Sequence, residues 1–154
     1  MKYLDTSAFV KHYRAKEEGS ITINRLFDDA KAGKEQLISS FIVIGEIVSV
    51  FDKWTRYKYI TNDECSELVR IFLKEIKELN DLGILILEHV STSTITNSLE
   101  LITKHHLSLN DSMHLFTALG NKTLIDEFAC ADDNLLKAAE KEGFKVLNPE
   151  DGLN

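Results

Sequence analysis

Proline is almost missing from this chain: Pro149 is the only one, and the seven glycines are scattered singly through 154 residues. That excludes proline-rich and glycine-rich linkers, and no low-complexity tract or fixed-period repeat marks an array. Cysteine is as scarce, since Cys65 and Cys130 lie far apart with no CxxC pair. A disulfide framework and a zinc-ribbon spacing are both excluded, and structural thiols are expected. No run approaches the roughly 20 apolar residues that cross a bilayer, so membrane insertion is not expected. The first residues lack a basic region followed by an apolar run and cleavage site, because Asp5, Lys11, His12 and Arg14 interrupt them; a cytoplasmic location is expected. Positive charge is in deficit, with a formal balance of −7. A protein that grips polyanions by bulk electrostatics normally shows the opposite sign, so any such ligand must be drawn in locally. Lys11, Arg14, Lys53 and Arg56 are the local cations available for that.

What is present is an ordinary globular composition, 44% hydrophobic and 28% charged, in a length that suits one domain spanning residues 1–154. Short apolar runs alternate with helical patterns. Strands are expected at Tyr3-Leu4, Gln36–Ile38, Ile84–Leu87, Phe128–Ala131 and Phe144–Leu147. Helices are expected from Ser7 to Arg14, after a Ser20 cap, and from a Thr61-Asn-Asp-Glu64 capping box to about Leu82. Further helices run through Leu99, Ile102 and His106, from Ser108 to Gly120, and from Asn134 to Glu142. The segment from Phe41 to Lys58 is β-branched enough to suit a strand. Ile44, Val48, Phe51 and Thr55 nonetheless fall at i, i+4, i+7 and i+11, and the run is too long for an ordinary strand, so it reads as a buried helix. Repeated βα alternation gives an α/β fold with a parallel sheet between helical layers.

Four acids stand where such a fold keeps its chemistry. Asp5 ends the first strand, Glu46 lies in the apolar helix, Asp111 opens a later helix and Asp132 follows the fourth strand. Asp5, Asp111 and Asp132 each also have an ordinary account as helix caps or dipole partners. Glu46 does not, because its surroundings are apolar and positions 42, 43, 49 and 50 hold no base one helical turn away. Thr6 and Ser7 are placed to orient a water or phosphate, or to cap the next helix. Asp133 is a further first-turn acid, and His114 lies one turn beyond Asp111 on the same face. Carboxylates gathered within a few ångströms require a cation, and an all-oxygen set suits Mg²⁺ or Mn²⁺ over zinc. Such ions activate water for displacement at phosphorus. A GxxxxGK[ST] loop is absent, and Ser7 stands where a phosphatase forming an aspartyl-phosphate would carry its second Asp.

In order and spacing, the segments Tyr3-Leu-Asp-Thr-Ser-Ala8 with Lys11, Ser39 leading to Glu46, Leu107–Leu115, and Ala131-Asp132 with Leu135-Leu136 and Gly143 resemble those of the PIN-domain nucleases, in particular VapC-like toxins of toxin–antitoxin pairs. The resemblance implies a three-layer α/β/α sandwich around a central parallel β-sheet, commonly in a homodimer. It implies Asp5, Glu46, Asp111 and Asp132 around one or two Mg²⁺ or Mn²⁺ ions, with Thr6 lending a hydroxyl and Ser7, Lys11, His114 and Asp133 close to the site or substrate. The activity implied is endoribonuclease cleavage of an RNA substrate, leaving a 5′-phosphate and a 3′-hydroxyl, with an antitoxin as partner. The alternatives are a PIN-like module that binds nucleic acid or protein without turnover, and a nuclease acting on DNA or on particular structures. One departure is visible: Cys130 stands where the family usually has Ser or Thr two residues before the fourth acid, and sulfur is a weaker hydrogen-bond partner.

Overall fold

The computed structural model describes residues 1–151, so the last three of the expected 1–154 domain lie outside the described residues. In chain order the elements are β1 (Lys2–Leu4), α1 (Thr6–Phe9) running on into a 3₁₀ turn (Val10–Tyr13), α2 (Ser20–Lys31), β2 (Leu37–Ser40), α3 (Val43–Arg56), α4 (Asn62–Asp81) and β3 (Leu85–Glu88), then α5 (Thr92–His105), α6 (Leu109–Gly120), β4 (Glu127–Ala129), α7 (Asp133–Lys141), β5 (Val146–Leu147) and a closing 3₁₀ turn (Pro149–Asp151). The strands form one sheet in the order β3-β2-β1-β4-β5, and every neighbouring pair is parallel.

Each face of the sheet buries its own core, because alternate side chains of a strand point to opposite sides. Leu4, Leu37, Leu85 and Ala129 face the layer that contributes Phe9, Phe27, Ile47, Phe51 and Phe72. Tyr3, Ile38, Phe128 and Cys130 face the opposite layer, with Leu101, Leu115 and Leu135. The result is the expected α/β/α sandwich. Chain connections leave β1 toward β2 and β3 on one side and arrive at β4 and β5 on the other. The crevice at the carboxyl ends of β1 and β4 is therefore the switch point, the usual binding place in an open parallel sheet.

Several boundaries differ from the sequence expectation for local reasons. The helix expected at Ser7–Arg14 tightens into a 3₁₀ turn from Val10, and Ser20 does not cap α2. Gly19 takes the cap position at φ 81°, where an added Cβ would lie 2.9 Å from the Pro149 carbonyl carbon. The Ser20 hydroxyl donates to the Ala15 carbonyl instead. β5 starts at Val146 because the Phe144 N–H is spent on the Ala139 carbonyl in closing α7. The Thr61/Glu64 capping box forms as expected, and α3 is a helix despite its β-branched content. Among the described residues, no helix is long and apolar enough to cross a membrane.

Candidate active site

Asp5 emerges from β1 at the switch point, and its N–H bonds the Ala129 carbonyl of β4 at 3.1 Å. Its side chain caps α1: Oδ1 accepts from the Ala8 N–H and the Ser7 hydroxyl, both at 2.9 Å. The carboxyl is only 4% exposed. Burial raises its pKa, and the charge of His114 and the capping bonds offset only part of that rise. A buried carboxylate whose proton affinity is raised is a group that a neighbouring cation would relieve.

Ser7 ties Asp5 to the loop after β4, because its Oγ also accepts the Ala131 N–H at 2.8 Å. Cys130, fully buried in that loop, accepts the Asp132 N–H at 3.2 Å through Sγ and lies 3.6 Å from Ser7 Oγ. Burial, with the nearby Asp5 charge, pushes its thiol pKa up, so the sulfur stays protonated. Its contacts are structural and face inward. Asp132 caps α7, with Oδ1 accepting from Asn134 and Leu135 at 2.9 and 3.0 Å. Asp132 and Asp133 are exposed. Asp111 and Ser108 bond reciprocally at the start of α6: the Ser108 hydroxyl donates to Oδ2 at 2.7 Å and accepts the Asp111 N–H at 3.2 Å.

Glu46 finds the compensation that its own helix lacks, and finds it across the fold. Thr6 donates to Oε2 at 2.5 Å, His114 Nε2 lies 2.8 Å from the same oxygen, and Asn110 donates to Oε1 at 2.8 Å. Burial alone would raise the Glu46 pKa, but the bond and charge of His114, with Thr6 and Asn110, outweigh it and hold the carboxyl below its ordinary value. His114 is 1% exposed, and its Nδ1 lies 2.9 Å from the Tyr3 hydroxyl. Burial first, then the Asp5 and Glu46 charges, raise the Tyr3 pKa, so the phenol keeps its hydrogen, and the imidazole bridges the Tyr3 hydroxyl and the Glu46 carboxylate.

Lys11, expected beside the substrate, is held by partners within the fold. It is 2% exposed, and its ammonium donates to the Glu18 carbonyl at 2.9 Å and pairs with Glu150 at 2.6 Å, strapping the closing 3₁₀ turn to the start of the chain. Asn110 and Tyr3 carry roles that the sequence reading missed. Asn110 and His114 stand four apart on α6, and that spacing was the available signal.

Among the described residues, no three His, Cys, Asp or Glu side chains converge closely enough to hold a metal ion. Each acid has another local partner: Glu46 the Thr6/Asn110/His114 set, Asp132 its helix N–H groups and Asp111 the Ser108 hydroxyl. In kind, the carboxylate oxygens of these acids, one of them deeply buried, suit a hard divalent cation. Beside these groups a cavity of about 720 Å³ opens between Thr6, Glu46 and Asn110 and runs along α3 past Ile42, Gly45 and Val50.

A three-layer parallel α/β protein with acids around its switch point is the class this geometry defines. The PIN-domain family model matches residues 2–146, and the chain belongs to that family. Among solved structures it is similar to VapC20 of Mycobacterium tuberculosis, a toxin that cleaves the Sarcin-Ricin loop, at 20% identity over 94% of this chain and 96% of that one, with a TM-score of 0.61. It is also similar to FitAcB from Neisseria gonorrhoeae, at 17% identity over 97% of this chain and 98% of that one, with a TM-score of 0.62. No curated protein matches the chain.

Proposed function

We propose that this PIN-domain protein is a metal-dependent endoribonuclease and the toxin of a toxin–antitoxin pair. Family membership supports a hydrolase acting on nucleic acids. The observation that carries the finer reading is the buried Asp5 at the switch point, which feels the charge of the same His114 that, with Thr6 and Asn110, holds the Glu46 carboxylate. Asp5 and Asp111 would hold a Mg²⁺ or Mn²⁺ ion directly, and Glu46 and Asp132 would complete its shell or hold its waters. The bound ion supplies positive charge at phosphorus and lowers the pKa of a water. The chain's own work is orientation. His114, bonded in turn to Tyr3, holds the Glu46 carboxylate together with Thr6 and Asn110, and Ser7 couples Asp5 to the Asp132 loop.

RNA is the substrate that the PIN and VapC resemblance favours, and the similar VapC20 is a toxin that cleaves the Sarcin-Ricin loop. An antitoxin partner, a homodimer and a cytoplasmic location accompany that reading. Incubation of total RNA with Mg²⁺ or Mn²⁺, added or withheld, tests it when cut ends are mapped. Cleavage should need the metal, leave 5′-phosphates and fall at least about 100-fold in Asp5→Asn, the scale of losing a group that acts in the transition state. Equal cutting by that variant, or by protein in EDTA, overturns the enzyme reading. If expression is harmless and no small antitoxin-like reading frame adjoins the gene, the toxin label is dropped and the nuclease label stands.

A further inference from the structure

The cavity beside Glu46 does not end at the acids. It shares Val50 with a second hollow of about 420 Å³ lined by Lys53, Trp54, Tyr57 and Tyr59. Tyr59 borders a third, also about 420 Å³, together with Lys58 and Asn62. The three follow α3 from its first turn to its end. From Glu46 to Tyr57 that is about 16 Å at the helical rise, enough for a few nucleotides.

The far end has an unusual surface for a chain of net charge −7. Tyr57 and Tyr59 are 61% and 65% exposed, and their rings stack with centroids 6.1 Å apart. Between them Lys58 holds a left-handed conformation at φ 60°, and the Tyr59 N–H closes α3 on the Trp54 carbonyl. Glycine is the usual residue at this point of a helix end, and a lysine there strains the backbone. The Arg14 guanidinium lies 5.1 Å from the Trp54 ring centre and 5.6 Å from that of Tyr59. Lys53 and Lys58 are exposed, and neither makes an ion pair among the described residues, whereas Arg56 is paired with Asp52 at 2.8 Å. Exposed rings interleaved with free cations are the surface chemistry of single-strand binding: cations follow phosphates while rings stack on bases of any sequence. The same cations disfavour a basic peptide.

We infer that the trough along α3 is a track for single-stranded RNA, in which Tyr57 and Tyr59 stack bases remote from the cleaved bond and Lys53 and Lys58 take their phosphates. The track rests on the nuclease reading and extends its site to the strand flanking the cut. The test measures the affinity of the full chain in EDTA for fluorescein-labelled oligouridylates, a tetranucleotide and a dodecanucleotide, by anisotropy. Wild type should gain about tenfold or more in affinity from the shorter to the longer. The pair Tyr57→Ala and Tyr59→Ala should cut that gain to about threefold or less, and Tyr57→Phe with Tyr59→Phe should restore it, since phenylalanine still stacks. Lys53→Gln with Lys58→Gln should lower the gain and flatten its salt dependence.

An undiminished gain in the alanine pair overturns the track. So does an undiminished gain accompanied by a change of molecular mass in light scattering, which assigns the rings to a second copy of the chain. Cutting of the dodecanucleotide with Mn²⁺ is scored separately. A chain that cuts but shows no length gain overturns the track alone, and one that shows the gain but never cuts overturns the nuclease reading alone.

Discussion

At the scale of single residues, Asp5 and Glu46 differ in what satisfies them, and stability measurements separate the two. Asp5 is buried with its proton affinity raised, so its charged form costs folding free energy. Asp5→Asn keeps the shape and the capping oxygen while removing that charge. It should raise stability in EDTA by about 1–2 kcal/mol, read from urea unfolding at neutral pH, with Mn²⁺ stabilising wild type and leaving the variant unmoved. A variant less stable than wild type in EDTA would show that the carboxylate is satisfied by the protein alone. Glu46 is the converse case. Its partners come from α1 and α6, and the outer one is the Tyr3 hydroxyl on His114 Nδ1. Tyr3→Phe leaves that buried nitrogen unpaired at nearly constant volume and should cost about 1–3 kcal/mol. The urea midpoint should fall with an unchanged slope, and an unchanged midpoint would mean the hydroxyl fixes nothing. The sequence showed Glu46 as an acid in need of compensation. It did not show the source, because Tyr3, Thr6, Asn110 and His114 meet it only after the sheet has brought distant segments together.

At the scale of elements, the helices were legible wherever one face or one cap decided the outcome. α3 forms as a helix, but the stripe it buries is Val43, Ile47, Phe51 and Trp54, whereas Ile44, Val48 and Thr55, on which the sequence period rests, lie beside that stripe and are only partly buried; the helical period still outweighs β-branched propensity. Gly83 and Gly143 stop α4 and α7 in left-handed turns. The 3₁₀ turn after α1 was not legible, because its geometry comes from a polar cluster made with two remote helices. His12 and Tyr13 from that turn and Lys31 from α2 all meet Glu75 of α4, at 3.3, 2.9 and 2.8 Å. The His12 bond foremost, with Lys31 and Tyr13 and against the effect of burial, lowers the Glu75 pKa from 4.5 to about 2. A carboxylate depressed in the folded state stabilises it above the unfolded pKa, and that contribution is lost as pH falls through the folded value. Urea stability should therefore drop between pH about 4.5 and about 2, and Glu75→Gln should be less stable at pH 7 with a shallower decline through that window. Parallel pH curves for the two proteins would show that the cluster does not link α4 to the turn.

At the scale of the whole molecule, the α/β/α sandwich and the parallel sheet followed from βα alternation, while the strand order did not. Nothing local in Lys2–Leu4 or Glu127–Ala129 says that these two short segments pair, yet their pairing creates the crevice and puts Asp5 beside the Asp132 loop. Charge is the other property that belongs to the whole chain. The acidic balance excludes a protein held to RNA by a broad basic surface, and Lys11, one of the few cations near the start, is consumed by Glu150. What remains along α3 is Lys53, Lys58 and Arg14, the last also 3.7 Å from Glu17. Each phosphate neutralised on a single strand contributes about −0.7 to the slope of log K against log salt. Two or three such contacts give a slope near about −2, far shallower than a basic nucleic-acid binder shows. Dodecanucleotide affinity measured from low to physiological KCl in EDTA should follow that slope, and the Lys53→Gln, Lys58→Gln pair should bring it to about −1 or less. A slope steeper than about −4 would require more cations than α3 presents and would move RNA to another face. A shallow slope with strong binding means that stacking on Tyr57 and Tyr59 supplies the affinity that net charge withholds, which is how an acidic chain can select a flexible single strand over a duplex whose bases are already stacked.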